Sequence, residues 1–332
     1  MRSHRRWRKN SSGGKLSISA LVLFGSVFYW AGTSAPQSLK PMVFAVSAKD
    51  LSASPIFIAE RLGYFKEEGI DAKVVLIRSD IAMKGLVTDD VNFASSISSV
   101  VKAAAIGAPM KTVINFFNGS FFYLVTRPDI TSMEQLRGKK VAISRHGSAT
   151  DFDARAVVRR FGLDPSKDVN ILAVGGGPTR IAALVSGHVD AAILNNIEKL
   201  PAEKAGMRTL LFTGQYLRQP VGGLGTSTHR IHEKSGDVRR AIKAVYKALV
   251  VMKNDRNTIK GVFDKELGVK AEQFDGVFGD AMRVFLADGK IDLQDLAAPY
   301  DDARKQAANP PEVPLTAVVD YTILDEVRRS MR

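Results

Sequence analysis

The chain of 332 residues contains no cysteine. This absence excludes disulfide bonds, thiol nucleophiles, zinc and iron–sulfur sites built on cysteine, and a lipid-modified N-terminal cysteine. It leaves the compartment open, because an exported protein can fold without disulfides. Internal repeats and low-complexity tracts are also lacking, and the hydrophobic content of 45% and charged content of 24% are those of an ordinary globular chain.

Acidic side chains are missing from residues 1–35, which carry six basic ones. Without these six, the net charge of +13 falls to +7 for the rest of the chain. The remaining lysines and arginines are scattered among acids and form no run of the kind that follows a nucleic-acid backbone. We therefore expect no nucleic-acid partner, although a modest positive balance helps to attract an anionic ligand.

Residues 1–35 have the three-part pattern of an export signal. Residues 1–15 are basic and polar, residues 16–32 are apolar and uncharged, and residues 33–35 are small. The apolar run is slightly short for a membrane span of about 20 residues. Pro36 disfavours cleavage directly before it, so both a cleaved signal peptide and an uncleaved signal anchor stay open. Either one predicts a periplasmic or extracytoplasmic protein.

The hydrophobic pattern indicates an α/β chain. Strands alternate with helices up to about residue 225, and helices dominate after it. The length exceeds what one core usually supports, so we expect about two domains. Two crossings between them are indicated, one near Thr126 and one at the glycine-rich residues 219–225, which we predict to be flexible. A last helix is predicted over residues 318–327. A long helix from Asp237 has the apolar residues Val238, Ala241, Ile242, Val245, Leu249 and Met252 at core spacing.

A strand–loop–helix unit in the middle of the chain is the clearest candidate for a ligand site. A strand over residues 139–144 runs into the small-residue loop 147–150, which begins a helix. Such a turn leaves N–H groups and hydroxyls facing outward beside the positive end of the helix dipole, which suits a small anionic or polar ligand. A strand over residues 190–194 then delivers Asn195 and Asn196 at its carboxyl end, where ligands of open α/β sheets bind. Ordinary βα turns are the alternative.

Two other helix starts repeat this arrangement. Ser54-Pro55 combines a serine at the N-cap with a proline at the first helical position. Ser95-Ser96 joins a strand over residues 91–94 to a helix over residues 97–106. Plain helix capping is the alternative explanation for Ser95 and Ser96.

Five blocks of the sequence, in the expected order, resemble the SsuA/THI5-like (NMT1-like) solute-binding proteins of ABC importers. They are A-E-R-L-G-Y-F-K-E-E-G-I-D-A-K-V-V at 59–75, V-K-A-A-A-I-G-A-P-M-K-T-V at 101–113, L-R-G-K-K-V-A-I at 136–143, G-L-D-P-S-K-D-V at 162–169 and A-A-L-V-S-G-H-V-D-A-A-I at 182–193. The resemblance covers residues 42–225 well, and the C-terminal helices only in general character.

The resemblance implies a type II periplasmic-binding-protein fold. Two α/β lobes, each a mixed sheet flanked by helices, are joined by a two-segment hinge and close on a ligand in the cleft between them. Together with the two crossings, this implies a first lobe of residues 42–126 plus 223–332 and a second lobe of residues 127–222.

The resemblance also implies which residues contact the ligand. They are Ser52, Ala53, Ser54, Ser95, Ser96, Phe116 and Asn118 in the first lobe, and Arg145, Gly147, Ser148, Thr150, Thr179 and Asn195 in the second. Arg145 is the sharpest hypothesis, because a guanidinium beside a helix N-terminus favours a carboxylate, sulfonate or phosphate. A surface arginine and a core phenylalanine are the alternatives for Arg145 and Phe116.

The implied function is that of a binding protein and not of an enzyme. Such a protein delivers a small anionic or heteroaromatic solute (a sulfonate, nitrate-like ion, carboxylate or pyrimidine) to an ABC permease and its ATPase. We expect a monomer without cofactor or metal, which touches the membrane only through its N-terminal segment or the permease. A membrane-tethered ligand sensor and an enzyme of pyrimidine metabolism are the alternatives.

Three features disfavour the enzyme. The cysteine-rich motif of the fungal pyrimidine-synthase relatives is missing. The glycines at 175–177 lack the spacing of a dinucleotide-binding loop. His229 and His232 have no nearby acid with the spacing of a metal site.

Overall fold

The computed structural model of the protein describes residues 38–146 and 148–331. The predicted export segment and Gly147 of the predicted ligand loop lie outside these residues. The ten strands of the described chain are β1 (Lys40–Val46), β2 (Ile70–Leu76), β3 (Phe93–Ala94), β4 (Met110–Asn118), β5 (Phe122–Thr126), β6 (Lys140–Ile143), β7 (Asn170–Ala173), β8 (Ala191–Asn195), β9 (Arg208–Phe212) and β10 (Pro220–Ser227).

The strands form two five-stranded sheets of the same topology. The first has the order β2-β1-β3-β10-β4 and the second the order β7-β6-β8-β5-β9. In each sheet the first three strands are parallel, and the fourth runs antiparallel to both of its neighbours. Each sheet is the centre of one lobe, so the α/β fold with two mixed sheets is confirmed.

Thirteen α-helices accompany the sheets within the described residues. They are α1 (Ser54–Arg61), α2 (Tyr64–Glu67), α3 (Ser79–Thr88), α4 (Ile97–Ala105), α5 (Ala149–Arg160), α6 (Gly177–Val185), α7 (Lys199–Lys204), α8 (Thr228–Glu233), α9 (Ser235–Asn254), α10 (Arg256–Val262), α11 (Ala271–Arg283), α12 (Ala297–Gln306) and α13 (Thr322–Ser330). The six apolar residues predicted at core spacing on α9 are all fully buried. Across the described chain, no helix combines the length and the apolar character needed to span a bilayer.

Two short segments connect the lobes. The first crossover, residues 119–121, joins β4 of the first sheet to β5 of the second, and the second crossover, residues 213–219, joins β9 to β10. The first change of lobe therefore precedes β5, whereas the prediction set it after residue 126. The turn signal at Arg127-Pro128 marks the end of β5 and not a boundary between lobes, because all five residues of β5 pair with β8.

The glycine-rich segment predicted to be flexible is a central strand. β10 lies between β3 and β4, and its glycines are required by close packing. A Cβ atom on Gly222 would lie 1.9 Å from the carbonyl oxygen of Ser52, and one on Gly223 would lie 2.3 Å from that of Ile114. The glycines therefore permit close approach and do not supply mobility.

The last helix begins later than predicted. A 3₁₀ turn covers Leu315–Val318, and α13 starts only at Thr322. Between them the chain is extended, because Val319 forms a β-bridge with Thr112 and the Asp320 N–H donates to the Thr112 carbonyl at 2.8 Å. The apolar pattern continues through this interruption, which is why one helix was predicted.

Candidate functional site

A cavity of about 560 Å³ lies between the two lobes. Residues from the carboxyl ends of β1, β3 and β8, from the starts of α3, α4 and α5, and from both crossovers line it. Parallel strands end at the same edge of a sheet, and ligands of open α/β sheets bind at that edge. The two sheets thus direct their ligand-binding edges towards one space, which we call the interlobe cavity.

Serine hydroxyls dominate the first-lobe wall of the interlobe cavity. Ser47 follows β1, Ser79 begins α3, and Ser95 and Ser96 join β3 to α4. The Ser79 hydroxyl donates to Ser96 Oγ at 3.0 Å. No side chain caps the N-terminus of α4, whose first turn also lines the cavity with Ser98 and Ser99. Part of this set is used locally, since the Ser98 hydroxyl donates to the Pro220 carbonyl at 3.1 Å and the Ile97 N–H to the Ser95 carbonyl at 2.9 Å. The other serine hydroxyls of this wall are the donors that it offers to a ligand.

The two charged side chains of the first-lobe wall each bond to a neighbour. Lys49 Nζ lies 3.2 Å from a carboxylate oxygen of Glu266. Asp50 accepts hydrogen bonds from the backbone N–H and the hydroxyl of Ser52, at 2.9 and 2.5 Å. The Ser52 hydroxyl, whose proton points to Asp50, is left with acceptor lone pairs. The donors available on this wall are thus mostly neutral groups.

Two asparagines at the carboxyl end of β8 form the second-lobe wall. Asn195 Oδ1 accepts from the backbone N–H groups of Ile197 and Glu198, at 2.9 and 2.8 Å, and so fixes the turn. Asn196 lines the cavity and is only 5% exposed, and its Nδ2 has no hydrogen-bond partner among the described residues. A buried amide donor without a partner is costly, and Asn196 carries this cost directly beside the cavity.

An ion pair between a buried arginine and a partly buried glutamate holds the asparagine turn in place. Arg180 of α6 is 3% exposed and donates to the carbonyls of Ile193 and Gly175, at 3.0 and 2.6 Å. It also donates to the Glu198 carboxylate at 2.8 Å, and this carboxylate accepts from the Asn195 N–H at 3.0 Å. Because both charges are satisfied within the turn, Asn195 and Asn196 are presented to the cavity from a rigid support.

The crossovers and a set of apolar side chains complete the cavity. Ser120 comes from the first crossover and Gln219 from the second. The apolar lining consists of Leu51, Ile97, Phe121, Phe122, Ile197, Val221, Leu267 and Val269. Asp153 of α5 is fully buried and accepts hydrogen bonds from Thr213 and Gln219 of the second crossover. Burial raises the pKa of Asp153 to about 6, and hydrogen bonds from Ser120, Thr213 and Gln219 oppose this shift.

Four of the predicted contact residues lie on the cavity wall, namely Ser52, Ser95, Ser96 and Asn195. The others that the structure describes do not line it. Ala53 and Ser54 are buried where α1 begins, and Phe116 is completely buried in β4. Asn118 is buried at the end of β4 and donates to Asp295 at 2.6 Å. Thr179 is exposed on α6.

At the start of α5 the predicted hydroxyls bond to one another. Thr150 Oγ1 accepts from the Ser144 N–H at 2.9 Å and lies 2.8 Å from Ser148 Oγ, and Ser148 also caps the helix. Among the described residues of this turn, Ala149, between them, lines the cavity. The turn therefore contributes backbone and a methyl group to the cavity wall, and its side-chain hydroxyls are engaged locally.

Arg145 lies in a different place from the other candidates. It is exposed and lines a wider groove of about 1000 Å³, together with Arg78 and Lys102 of the first lobe. This groove shares Ser47, Ser79 and Ser99 with the interlobe cavity, so the two spaces adjoin. Arg145 is thus set beside the cavity and not on its wall.

Several lining residues were not predicted, chiefly Ser47, Ser79, Ser98, Ser99 and Gln219, whereas Asn196 was expected at this edge but not among the ligand contacts. Ser47 and Ser79 follow β1 and β2, so the rule of strand carboxyl ends that selected Ser95 and Asn195 would also have found them. Gln219 belongs to a segment whose strand character was missed. Among residues 38–146 and 148–331, no three histidine, aspartate or glutamate side chains are grouped closely enough to hold a metal ion.

Comparison with known proteins agrees with this architecture. The model of a family described as NMT1/THI5 like matches residues 51–258. The chain is 25% identical over 223 residues to YtlA of Bacillus subtilis (strain 168), provisionally named a binding protein. That match covers 64% of this chain and 62% of YtlA, so the chain spans about three fifths of that relative's length.

Two solved structures share the fold over nearly their whole length. The periplasmic sulfonate-binding protein SsuA from Methylobacillus flagellatus KT is 16% identical, with 89% of this chain and 96% of that chain covered and a TM-score of 0.71. The periplasmic aliphatic sulphonate binding protein SsuA from Escherichia coli is 14% identical, with 87% and 100% covered and a TM-score of 0.67. At these identities the likeness shows the two-lobed fold.

Proposed function

This chain belongs to the NMT1/THI5-like family, and on that premise we propose that it is the solute-binding component of an ABC importer. The two lobes hold a small anion with an apolar substituent in the interlobe cavity and release it unchanged to a permease. The observation that carries the proposal is the interlobe cavity itself, where the carboxyl ends of β1, β3 and β8 and the starts of α3, α4 and α5 meet from the two lobes.

The chemistry of the cavity suits an oxyanion. Serine hydroxyls and the uncapped start of α4 in the first lobe, and the carboxamide of Asn195 in the second, offer donors from both lobes. Hydrogen bonds to an ionised acceptor are about twice as strong as those between neutral groups. Because each lobe supplies donors, the anion is bound best when the lobes are closed, and differential affinity drives the closure.

The apolar lining suits the rest of the solute. Phe121 and Phe122 lie on the side of the crossovers, and Leu267 and Val269 come from the C-terminal part of the first lobe. Small-molecule sites typically combine such surfaces with a few polar groups that fix orientation. An alkyl or aryl sulfonate, or a carboxylate of similar shape, matches both the polar and the apolar lining of the cavity better than a bare nitrate ion.

The relatives support the importer role. Both SsuA structures are named as periplasmic sulfonate-binding proteins, and the N-terminal pattern of this chain is that of an export signal or anchor. We propose accordingly that the protein works outside the cytoplasm as a monomer. Its partners are a permease and the ATPase of that permease.

Titration calorimetry tests the proposal with methanesulfonate, benzenesulfonate, benzoate, nitrate and an aminopyrimidine as probes. We expect at least one of the organic anions to bind with micromolar affinity or better and to be recovered unchanged by NMR. Binding of none of the five would contradict the solute class, and chemical conversion of a probe would identify an enzyme. Tight binding without loss of uptake in a deletion strain would instead support the membrane-tethered sensor.

A further inference from the structure

One buried carboxylate bonds to the second of the two segments that join the lobes. Asp153, in the first half of α5, has no exposed surface. Its Oδ2 accepts from Thr213 Oγ1 at 2.7 Å and its Oδ1 from Gln219 Nε2 at 3.3 Å. Thr213 and Gln219 are the first and last residues of the second crossover. Asp153 thus connects both ends of this crossover to a helix of the second lobe.

The crossovers are also packed against each other. A Cβ atom on Gly214 would lie 2.3 Å from the Ser120 carbonyl oxygen. Thr213 Oγ1 lies 3.0 Å from the Phe122 carbonyl as well as 2.7 Å from Asp153. A hydroxyl has a single proton, so it donates to the carboxylate when Asp153 is ionised and is released to Phe122 when Asp153 is protonated. The hydrogen bonding of the second crossover therefore depends on the state of this carboxylate.

The surroundings of Asp153 make its charge costly. The groups that face the carboxylate among the described residues are two hydroxyls and one carboxamide, which neither carry a charge nor titrate in the physiological range. A carboxylate buried without a cation destabilises a fold relative to a neutral side chain of the same shape. The pKa of about 6 has this origin. A group that lowers stability at such a place points to a functional role.

The contacts of Asp153 extend to the ligand site, because Gln219 lines the interlobe cavity, as does Ser120 of the first crossover, against which Gly214 packs. We propose that the ionised Asp153 is the positioning residue of the hinge. It holds the second crossover, and through it the first, against α5, sets the resting separation of the lobes, and keeps Gln219 in place on the cavity wall. Its effect on affinity rests on the proposed function, whereas its effect on lobe separation does not.

The test is Asp153→Asn, which preserves shape and removes the charge, in the full chain. Because the chain has no cysteine, spin labels attach only to cysteines introduced at Lys84 of the first lobe and Lys167 of the second. Pulsed electron paramagnetic resonance then gives the interlobe distance distribution without solute. We expect the variant to shift or broaden this distribution at pH 7.5, and the unsubstituted protein to change in the same direction at pH 5. The variant itself is expected to be insensitive to pH between these values.

A second readout separates positioning from structural support. Asp153→Asn is expected to bind benzenesulfonate about tenfold more weakly while its melting temperature stays equal or rises. Asp168→Asn is the matched control, since this carboxylate of the second lobe bonds to Arg137 and to the Asp164 N–H but to neither crossover. The Asp168→Asn variant should leave the interlobe distance distribution unchanged.

An unaltered distance distribution in Asp153→Asn at both pH values would overturn the hinge role, whether or not any solute binds. A shifted distribution in a protein that binds none of the probes would leave the hinge role standing and would count against the proposed function alone.

Discussion

The two lobes share one sheet topology but contribute differently to the interlobe cavity. The first lobe supplies a wall of serine hydroxyls around the uncapped start of α4. The second supplies two asparagine amides, held by the ion pair of Arg180 and Glu198. Donors on the first wall are serine hydroxyls, partly bonded to one another, whereas those on the second wall are carboxamides of one fixed turn. The same strand arrangement can thus present either adaptable hydroxyls or amides held in a rigid turn.

The largest expected effect is a loss of stability when a closely packed glycine is replaced by alanine, and it should differ between the two lobes. Gly222→Ala should lower the free energy of unfolding by about 3–5 kcal/mol, because the new Cβ would overlap the Ser52 carbonyl in a backbone with φ of +69°. Gly187→Ala, in the second lobe with φ of +77° and only Arg127 within 4 Å, should cost about 1–2 kcal/mol. Urea unfolding measures both. Equal losses would contradict the packing role of Gly222.

The next effect is the pH dependence that Asp153 gives the second lobe. Because its pKa is raised to about 6 in the folded protein, the folded state binds a proton more readily than the unfolded state. The contribution of Asp153 to stability is therefore greatest at acid pH and is lost as the pH rises through about 6. The total loss in the free energy of unfolding is about 3 kcal/mol. Unfolding free energies of the parent and Asp153→Asn between pH 4 and 7 should diverge accordingly. Parallel curves would refute the shifted pKa.

Asn196→Ala should weaken binding of the best organic anion 10- to 100-fold, since a buried donor to a charged acceptor contributes about 1.5–3 kcal/mol. Stability should hardly change, because the amide nitrogen has no partner to lose. Ser96→Ala, on the more adaptable first-lobe wall, should weaken binding less than tenfold. Calorimetry on both variants measures the difference, and a larger loss for Ser96→Ala would reverse the comparison of the two walls.

Ser148→Ala should act on stability and not on affinity. Its hydroxyl accepts from the Asp151 N–H and bonds to Ser144 at the start of α5, so its loss should cost about 1 kcal/mol of unfolding free energy. Thermal melting and calorimetry distinguish the two effects. A loss of affinity with an unchanged melting temperature would return Ser148 to the ligand site.

Arg145→Ala should have the smallest effect. The side chain is exposed in the groove beside the cavity, where water and salt screen its charge. We expect an affinity change of less than about threefold that disappears at high salt. A salt-independent loss of tenfold or more would instead mean that the arginine enters the cavity when the lobes close.

The order of strands and helices was predictable because periodicity and helix-start signals are local. Ser95, Ser96 and Asn195 could be selected because each follows a parallel strand, and parallel strands end at one edge. Residues 219–225 could not be interpreted correctly, since glycines chosen for close approach to Ser52 and Ile114 look like glycines of a flexible loop. Ser148 and Thr150 show a second limit. Their type and position suit a ligand, but only the geometry reveals that they bond to Ser144.

The pairing of Asn118 with Pro220 has a consequence for how the chain assembles. β4 and β10 are antiparallel neighbours, so they form a hairpin in which residues 119–219 take the place of the turn. Closing a loop of that length before it is compact carries a large entropic penalty, which falls once the loop has folded on its own. All five strands of the second sheet lie within this insertion. The inserted lobe is thus suited to fold first, and its completion brings the two ends of the hairpin together.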